Sequence, residues 1–271
     1  MQGEGDKKDY VDYFSGIGVE THYYQDLRDD KEYIPSIKPY LWSEFLREDS
    51  TRQQETYLYI DSDVIFNRLP LLDKLPKLSS NYWYCSDTLG YTNYIYLNSV
   101  KYAEEILPRM CELADITPEQ LREQSSGEGG AQWIIKNPTL EYWEDVYTLS
   151  NSFWKYFQTV HEKTDLDKLP GGIQTWCAEM YATTFSAIKH GIHMGVSDEL
   201  SFAWTPDKHE VNPKAVMVHD SGVQDNETHF RKSDYLTREP YMDDFSRVDP
   251  DSWSANYVNE IKRTGINLHK I

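Results

Sequence analysis

The chain has 271 residues, 39% of them hydrophobic and 14% aromatic, which is enough apolar mass for a folded core and excludes a disordered chain. Its formal net charge of −18 opposes non-specific binding to nucleic acid, because an acidic surface repels a polyanion. No apolar run has the length of a membrane span and the first residues are polar, so we expect no membrane partner and no signal peptide.

Strand and helix patterns alternate along the chain. Strand patterns cover 18–26, 56–60, 82–88 and 214–222, with a further extended stretch at 92–99, and helix patterns cover 36–48, 100–114, 139–161, 173–191 and 252–263. The alternation predicts an α/β fold in which helices flank a mixed, mostly parallel sheet. We expect one domain over 1–271, with 1–17 shortened or flexible and 236–271 packing on the domain as a tail.

Two carboxylates follow the most apolar strand pattern. The stretch TYLYI ends at Asp61-Ser62-Asp63, and in an open α/β sheet ligands collect beyond the carboxyl ends of the strands. Residues i and i+2 of an extended chain point the same way, so these two charges favour a shared cation. Hard oxygen ligands select Mg²⁺ or Mn²⁺. The alternative is a strand-end turn closed by Asx hydrogen bonds.

The runs KPYLWSEFL (38–46) and YLYIDSDVIF (57–66) resemble the metal-dependent, DxD-type glycosyltransferases of the GT-A fold, in chains typical of phage and environmental sequences. The resemblance implies a Rossmann-like domain in which Asp61 and Asp63 hold Mn²⁺ or Mg²⁺ against the diphosphate of a nucleotide-sugar. It places Lys38, in the basic-aromatic start of the helix, and Asp61 on the donor side. The three scattered cysteines, Cys85, Cys111 and Cys177, predict reduced thiols in a cytosolic protein, which lies in the host cytoplasm if a phage encodes it.

A second run, VMVHDSG (216–222), agrees with the same resemblance. Several GT-A families place a third metal ligand in such a segment, which implies that His219 binds the cation and that Gly222 lies beside the donor. A lysine further along binds the diphosphate in those families. Lys232 matches it, although its spacing departs from the family pattern. The alternative for His219 is a core histidine at a strand end.

Two further segments, 129–137 and 173–182, look like the acceptor-side and sugar-side elements of such enzymes. Gly130 would let the backbone approach the sugar, and Gln132 would bind its hydroxyls. If the enzyme retains, Gln132 or Gln174 would line the β-face of the sugar. Trp176 would stack on the sugar, with core packing as the alternative. The departure is at the N-terminus, where the strand that holds the nucleotide base is reduced or missing, so the nucleotide is not predicted.

The chemistry implied by the resemblance needs a carboxylate near the acceptor hydroxyl if the enzyme inverts. Glu179 is the first candidate for this catalytic base and Asp87 the second, with a solvated helix face as the alternative for Glu179. The acceptor remains open among a hydroxymethylated pyrimidine in phage DNA, a glycan and a protein. The rival functions are a metal-dependent nucleotidyltransferase and a non-catalytic carbohydrate-binding protein.

Overall fold

The computed structural model describes residues 12, 14–164, 171–223, 225 and 227–267, so residues 1–11 and 13 of the predicted N-terminal stretch 1–17 lie outside the described residues. Its helices and strands, in chain order, are α1 (Ile37–Glu48), β1 (Thr56–Tyr59), β2 (Val64–Phe66), β3 (Tyr82–Ser86), α2 (Leu89–Thr92), α3 (Tyr94–Leu97), α4 (Ala103–Ala114), α5 (Pro118–Glu123), β4 (Gly130–Lys136), α6 (Leu140–Thr164), α7 (Ala178–Lys189), β5 (His193–Val196), β6 (Phe202–Trp204), β7 (Met217–His219) and α8 (Trp253–Asn267). Among the described residues no helix combines the length and the apolar character needed to span a bilayer.

The strands form two mixed sheets. A four-stranded sheet has the order β1-β4-β3-β5, and a three-stranded sheet has the order β2-β7-β6. The α/β class is confirmed, but the prediction of a mostly parallel sheet is wrong, since β1–β4, β3–β4 and β2–β7 pair antiparallel and only β3–β5 and β6–β7 pair parallel. Alternating strands and helices do not fix strand direction when the connections are long enough to return to either end of a sheet.

The central strand β4 was not recognised as a strand in the sequence, because its residues follow directly on a glycine-rich turn. It is buried on both faces. Trp133 and Ile135 belong to the main core, where Phe153 of α6 and Phe185 of α7 pack, whereas Ile134 packs on the opposite face with Met217 of β7. A strand buried on both faces has no polar alternation, and this explains why the pattern of period two is missing.

Two of the predicted extended segments have another structure. The first segment, 18–26, belongs to no sheet, and side chains hold it against α1: Tyr24 donates a hydrogen bond to Glu48, and His22 lies edge-on to Phe45. The stretch 92–99 contains helical turns instead. There the side chain of Asn93 caps α3 by accepting a hydrogen bond from the backbone N–H of Tyr96.

The Asp-Ser-Asp stretch is the point at which the chain passes from one sheet to the other. It leaves the four-stranded sheet at the end of β1 and enters the three-stranded sheet at β2. Val64 pairs with His219, and the backbone N–H of Asp220 donates to the carbonyl of Asp63 over 3.0 Å. This pairing brings the end of β7 beside the two carboxylates.

Candidate metal centre

Asp61, Asp63 and His219 converge at the crossing between the two sheets. One ligand atom of each side chain lies within 4.8 Å of the others. The Nε2 atom of His219 lies 3.2 Å from Oδ1 of Asp63 and 3.5 Å from Oδ2 of Asp61. The imidazole is buried and Asp61 is partly exposed, so the cluster opens on the side of Asp61. Two carboxylates and an imidazole are a donor set that suits Mn²⁺.

Two lysines flank the cluster, one beside each aspartate. Lys38 Nζ donates to Oδ1 of Asp61 over 2.7 Å, and Lys232 Nζ donates to Oδ2 of Asp63. Burial raises the pKa of Asp63, but His219 and Lys232 beside it lower it by more, and the pKa is about 2. Burial likewise lowers the pKa of Lys38, but Glu179 and the neighbouring acids raise it well above its ordinary value. Asp63 and Lys38 therefore both carry their charges at neutral pH.

His219 is held by neighbours from two other strands. The indole of Trp204, at the end of β6, stacks on the imidazole with ring centroids 5.1 Å apart. Gln132, at the start of β4, places its Nε2 atom 3.2 Å from Nδ1 of His219. Gln132 is fully buried and contacts His219. It lines neither of the two pockets described below. The expectation that it binds sugar hydroxyls has no support in this geometry.

A pocket of 280 Å³ opens beside Asp61. Its charged groups are Asp61, Lys38 and Glu179. Apolar side chains from the helical turn Ile34–Ser36, from the start of α1 and from α7 form part of its walls. Glu179 is only 6% exposed, which rules out the solvated helix face. Its Oε1 accepts a hydrogen bond from the hydroxyl of Tyr59 over 2.8 Å, and its Oε2 lies 3.9 Å from Lys38 Nζ.

A second pocket, of 460 Å³, lies on the other side of Trp176, whose side chain lines both pockets. Trp176 is 55% exposed, so it does not pack in the core. Trp204, Gln174 and Gly222 line this second pocket with Tyr91 and Ser221. Gly222 has φ +70°, a conformation that glycine adopts without strain directly after the strand that carries His219.

Two predicted residues lie away from both pockets. At Gly130 a Cβ atom would come within 2.8 Å of the end of the Met180 side chain, so that methionine fills the space expected for the sugar. Ala131 lines the first pocket instead. Asp87 is exposed, accepts a hydrogen bond from the backbone N–H of Leu89, and lines neither pocket. The structure does not bring Asp87 into contact with the metal cluster.

Sequence reasoning missed three residues of the site. Tyr59 is the last residue of β1 and donates to Glu179, Trp204 stacks on His219, and Ala131 has φ +60° at the start of β4. The position of Tyr59 two residues before Asp61 is a usable signal, because i and i+2 share a face of a strand. Nothing in the sequence marks Ala131, since alanine rarely adopts positive φ.

Comparison with family models, with curated proteins and with solved structures finds no match to this chain. The class that fold and site define is therefore a mixed α/β protein with a candidate cation site where two sheets meet.

Proposed function

We propose that this chain is a metal-dependent glycosyltransferase of the GT-A type, which moves a sugar from a nucleoside diphosphate donor to a hydroxyl acceptor. One observation carries the proposal. The fold brings two carboxylates at the crossing between two sheets and a histidine from a distant strand to within 4.8 Å of one another, with a lysine beside each carboxylate. The donor set fits Mn²⁺ or Mg²⁺, which Asp61, Asp63 and His219 would hold.

The chemistry that such a cation supplies is neutralisation of the charge that builds up on the departing diphosphate. Lys232 is placed for the same task, because its ammonium group lies beside Asp63 and is half exposed. A diphosphate that approaches the cluster would compete with Asp63 for this lysine. Lys232 is the only lysine in contact with Asp63 among the described residues.

The first pocket is suited to the sugar. Asp61, Lys38 and Glu179 supply hydrogen-bonding groups on one side, and the ring of Trp176 supplies an apolar face on the other. Glu179 is oriented by Tyr59 and by Thr183, whose hydroxyl lies 3.5 Å from Oε1. In an inverting reaction Glu179 would take the proton of the acceptor hydroxyl, and in a retaining one it would bind a hydroxyl of the sugar.

The test of metal and nucleotide binding is thermal unfolding with Mn²⁺ and a panel of nucleoside diphosphates. We expect the two ligands together to raise Tm by about 5–11 °C at one hundred times Kd, because each binds only the folded chain. In Asp63→Ala this shift is lost. The control is Asp73→Ala, which removes the same charge from an exposed position. An unchanged shift in Asp63→Ala contradicts the proposal.

A second assay separates the proposal from its rivals and needs no knowledge of the acceptor. Many glycosyltransferases slowly hydrolyse their donor when water replaces the acceptor, so nucleotide-sugars are screened for release of nucleoside diphosphate. Nucleoside triphosphates are tested in parallel. A glycosyltransferase releases nucleoside diphosphate from a nucleotide-sugar, and a nucleotidyltransferase releases pyrophosphate from a nucleoside triphosphate. A carbohydrate-binding protein releases neither product. Release of pyrophosphate alone would overturn the assignment.

A further inference from the structure

We infer that Gln132 is a positioning residue that supplies a hydrogen-bond acceptor to Nδ1–H of His219 when Nε2 of that histidine binds the cation. The inference rests on the proposed function, because it concerns the same cation site. It starts from the position of Gln132, which is fully buried and has the nitrogen of its amide 3.2 Å from Nδ1 of His219. The oxygen of the same amide, Oε1, is buried and accepts no hydrogen bond.

A break in the β3–β4 ladder places this amide. Cys85 pairs with Trp133, but the next residue, Ser86, pairs with Gly130, so Ala131 and Gln132 bulge out of the ladder. Ala131 adopts φ +60° within the bulge. The hydroxyl of Ser86 bridges it, because it accepts from the backbone N–H of Gln132 and donates to the carbonyl of Gly130. Bulges of this kind re-aim a side chain next to a site.

The hydrogen bonds around the imidazole depend on which ring nitrogen carries the proton. When the amide nitrogen of Gln132 donates to Nδ1, the ring proton lies on Nε2, where it faces the carboxylates of Asp61 and Asp63. A cation that binds between the three ligands needs a bare Nε2 and therefore needs the proton on Nδ1. Nδ1–H in turn needs an acceptor, as metal-bound histidines generally have.

Gln132 can supply that acceptor without any other movement. Rotation of its amide by 180° exchanges the nitrogen with the oxygen, so that Oε1, which has no hydrogen bond before, accepts from Nδ1–H. The same side chain thus matches His219 in both tautomers. A methionine, which has nearly the same shape, matches neither. A glutamate matches only the tautomer that binds the cation.

Two measurements test the inference. In the first, Mn²⁺ is titrated against each protein and the free ion is followed by electron paramagnetic resonance. We expect Gln132→Met to bind Mn²⁺ about 10–100-fold more weakly than the wild type, in line with the loss of other groups that orient metal-bound histidines. Gln132→Glu should bind at least as tightly as the wild type and should unfold at lower temperature without the ion, because it adds a buried charge.

The matched control is Asn151→Leu, which also removes a buried amide with an unpaired oxygen, but in α6 and outside both pockets. Its Mn²⁺ affinity should equal that of the wild type. Affinity in Gln132→Met within twofold of the wild type overturns the inference and leaves the proposed function standing. A wild type that binds no Mn²⁺ overturns both, because His219 then has no cation to bind.

The second measurement uses the wild type and does not depend on whether a variant folds. ¹⁵N spectra of histidine-labelled protein report which ring nitrogen carries the proton, with Zn²⁺ as a diamagnetic probe ion. We expect His219 to carry its proton on Nε2 without the ion and on Nδ1 with the ion bound. A ring that keeps its proton on Nε2 while Zn²⁺ is bound overturns the inference.

Discussion

Charged side chains gather at both ends of the three-stranded sheet, and the two groups differ in their charge balance. At one end Glu199, which is buried before β6, accepts hydrogen bonds from Arg68 and from the backbone N–H of Leu71, and lies 3.3 Å from Lys74. At the other end three carboxylates, those of Asp61, Asp63 and Glu179, share the ammonium groups of Lys38 and Lys232.

The Glu199 group is complete without a ligand, whereas the Asp61 group is not. The carboxylate of Glu199 has two cationic side chains and a backbone N–H as partners, which is all that it can use. The hydrogen bond from Arg68, together with Leu71 and Lys74, lowers the pKa of Glu199 to about 2. In the other group carboxylate oxygens outnumber the donors, and two of them face the same imidazole nitrogen. Unmatched acceptors, rather than charged residues as such, are the property expected of a cation site.

The largest difference between the two ends should appear in turnover. Glu179→Gln keeps the shape of the side chain but cannot take a proton, so we expect kcat for sugar transfer to fall about 10²–10⁴-fold if Glu179 is the base. Glu199→Gln, at the complete end, should leave kcat within about twofold of the wild type. The measurement is the initial rate of nucleoside diphosphate release at saturating donor. If kcat falls equally in Glu179→Gln and Glu199→Gln, the two ends of the three-stranded sheet do not differ in function.

The sequence allowed the three side chains of the candidate cation cluster to be predicted as neighbours, because their chemistry and their position on the strands coincide. Asp61, Asp63 and His219 each follow or end an apolar strand pattern, and strand ends meet at the edge of a sheet. Lys38 and Lys232 came from the resemblance, and each contacts one of the aspartates. Local patterns were sufficient here, since each residue is marked by its own neighbours.

The rest of the site depends on long-range pairing, which local patterns do not contain. β4 lies between β1 and β3 and pairs antiparallel with both, and the connection from β3 to β4 passes through four helices. Local sequence patterns do not contain the direction in which such a connection returns, so this antiparallel pairing could not be predicted. The bulge that turns Gln132 towards His219 forms at Ala131, whose positive φ has no signal in the sequence. Gln132 was therefore predicted to bind the sugar, whereas its contact is with His219 of the candidate cation cluster.

A buried carboxylate without cations separates the effect of burial from that of charge pairing. Glu128 is fully buried, and within the described part of the chain only the backbone N–H of Tyr94 donates to it. Burial raises the pKa of Glu128 to about 8. Since this folded-state pKa lies above the unfolded value, the folded chain loses stability as pH rises from about 4.5 towards 8.

Glu128→Gln should remove that loss. We expect the variant and the wild type to have similar free energies of unfolding below pH 4, and the variant to be more stable on the order of 4 kcal/mol at pH 8. Urea unfolding at a series of pH values measures the difference. If the difference in free energy of unfolding between variant and wild type does not change with pH, Glu128 stays charged in the folded chain. Burial would then not raise its pKa, and Glu128 would be charged like the acids of the candidate cation cluster.

The smallest effect is expected at the complete end of the sheet. Because the pKa of Glu199 in the folded chain is lowered to about 2, its stabilising contribution is present above the unfolded value near 4.5 and is lost as pH falls through 2. Glu199→Gln should therefore lower the free energy of unfolding by about 1 kcal/mol at pH 7, since Arg68 and Lys74 are largely exposed, and by nothing at pH 2.

The control for this change is Glu210→Gln, which alters the same kind of side chain at an exposed position. It should have no measurable effect at either pH. Adding Mn²⁺ should leave the difference between Glu199→Gln and the wild type unchanged, because the Glu199 group already has its cations. A difference that shrinks when Mn²⁺ is added would mean that the ion binds at Glu199, and the contrast between the two ends of the sheet would then be wrong.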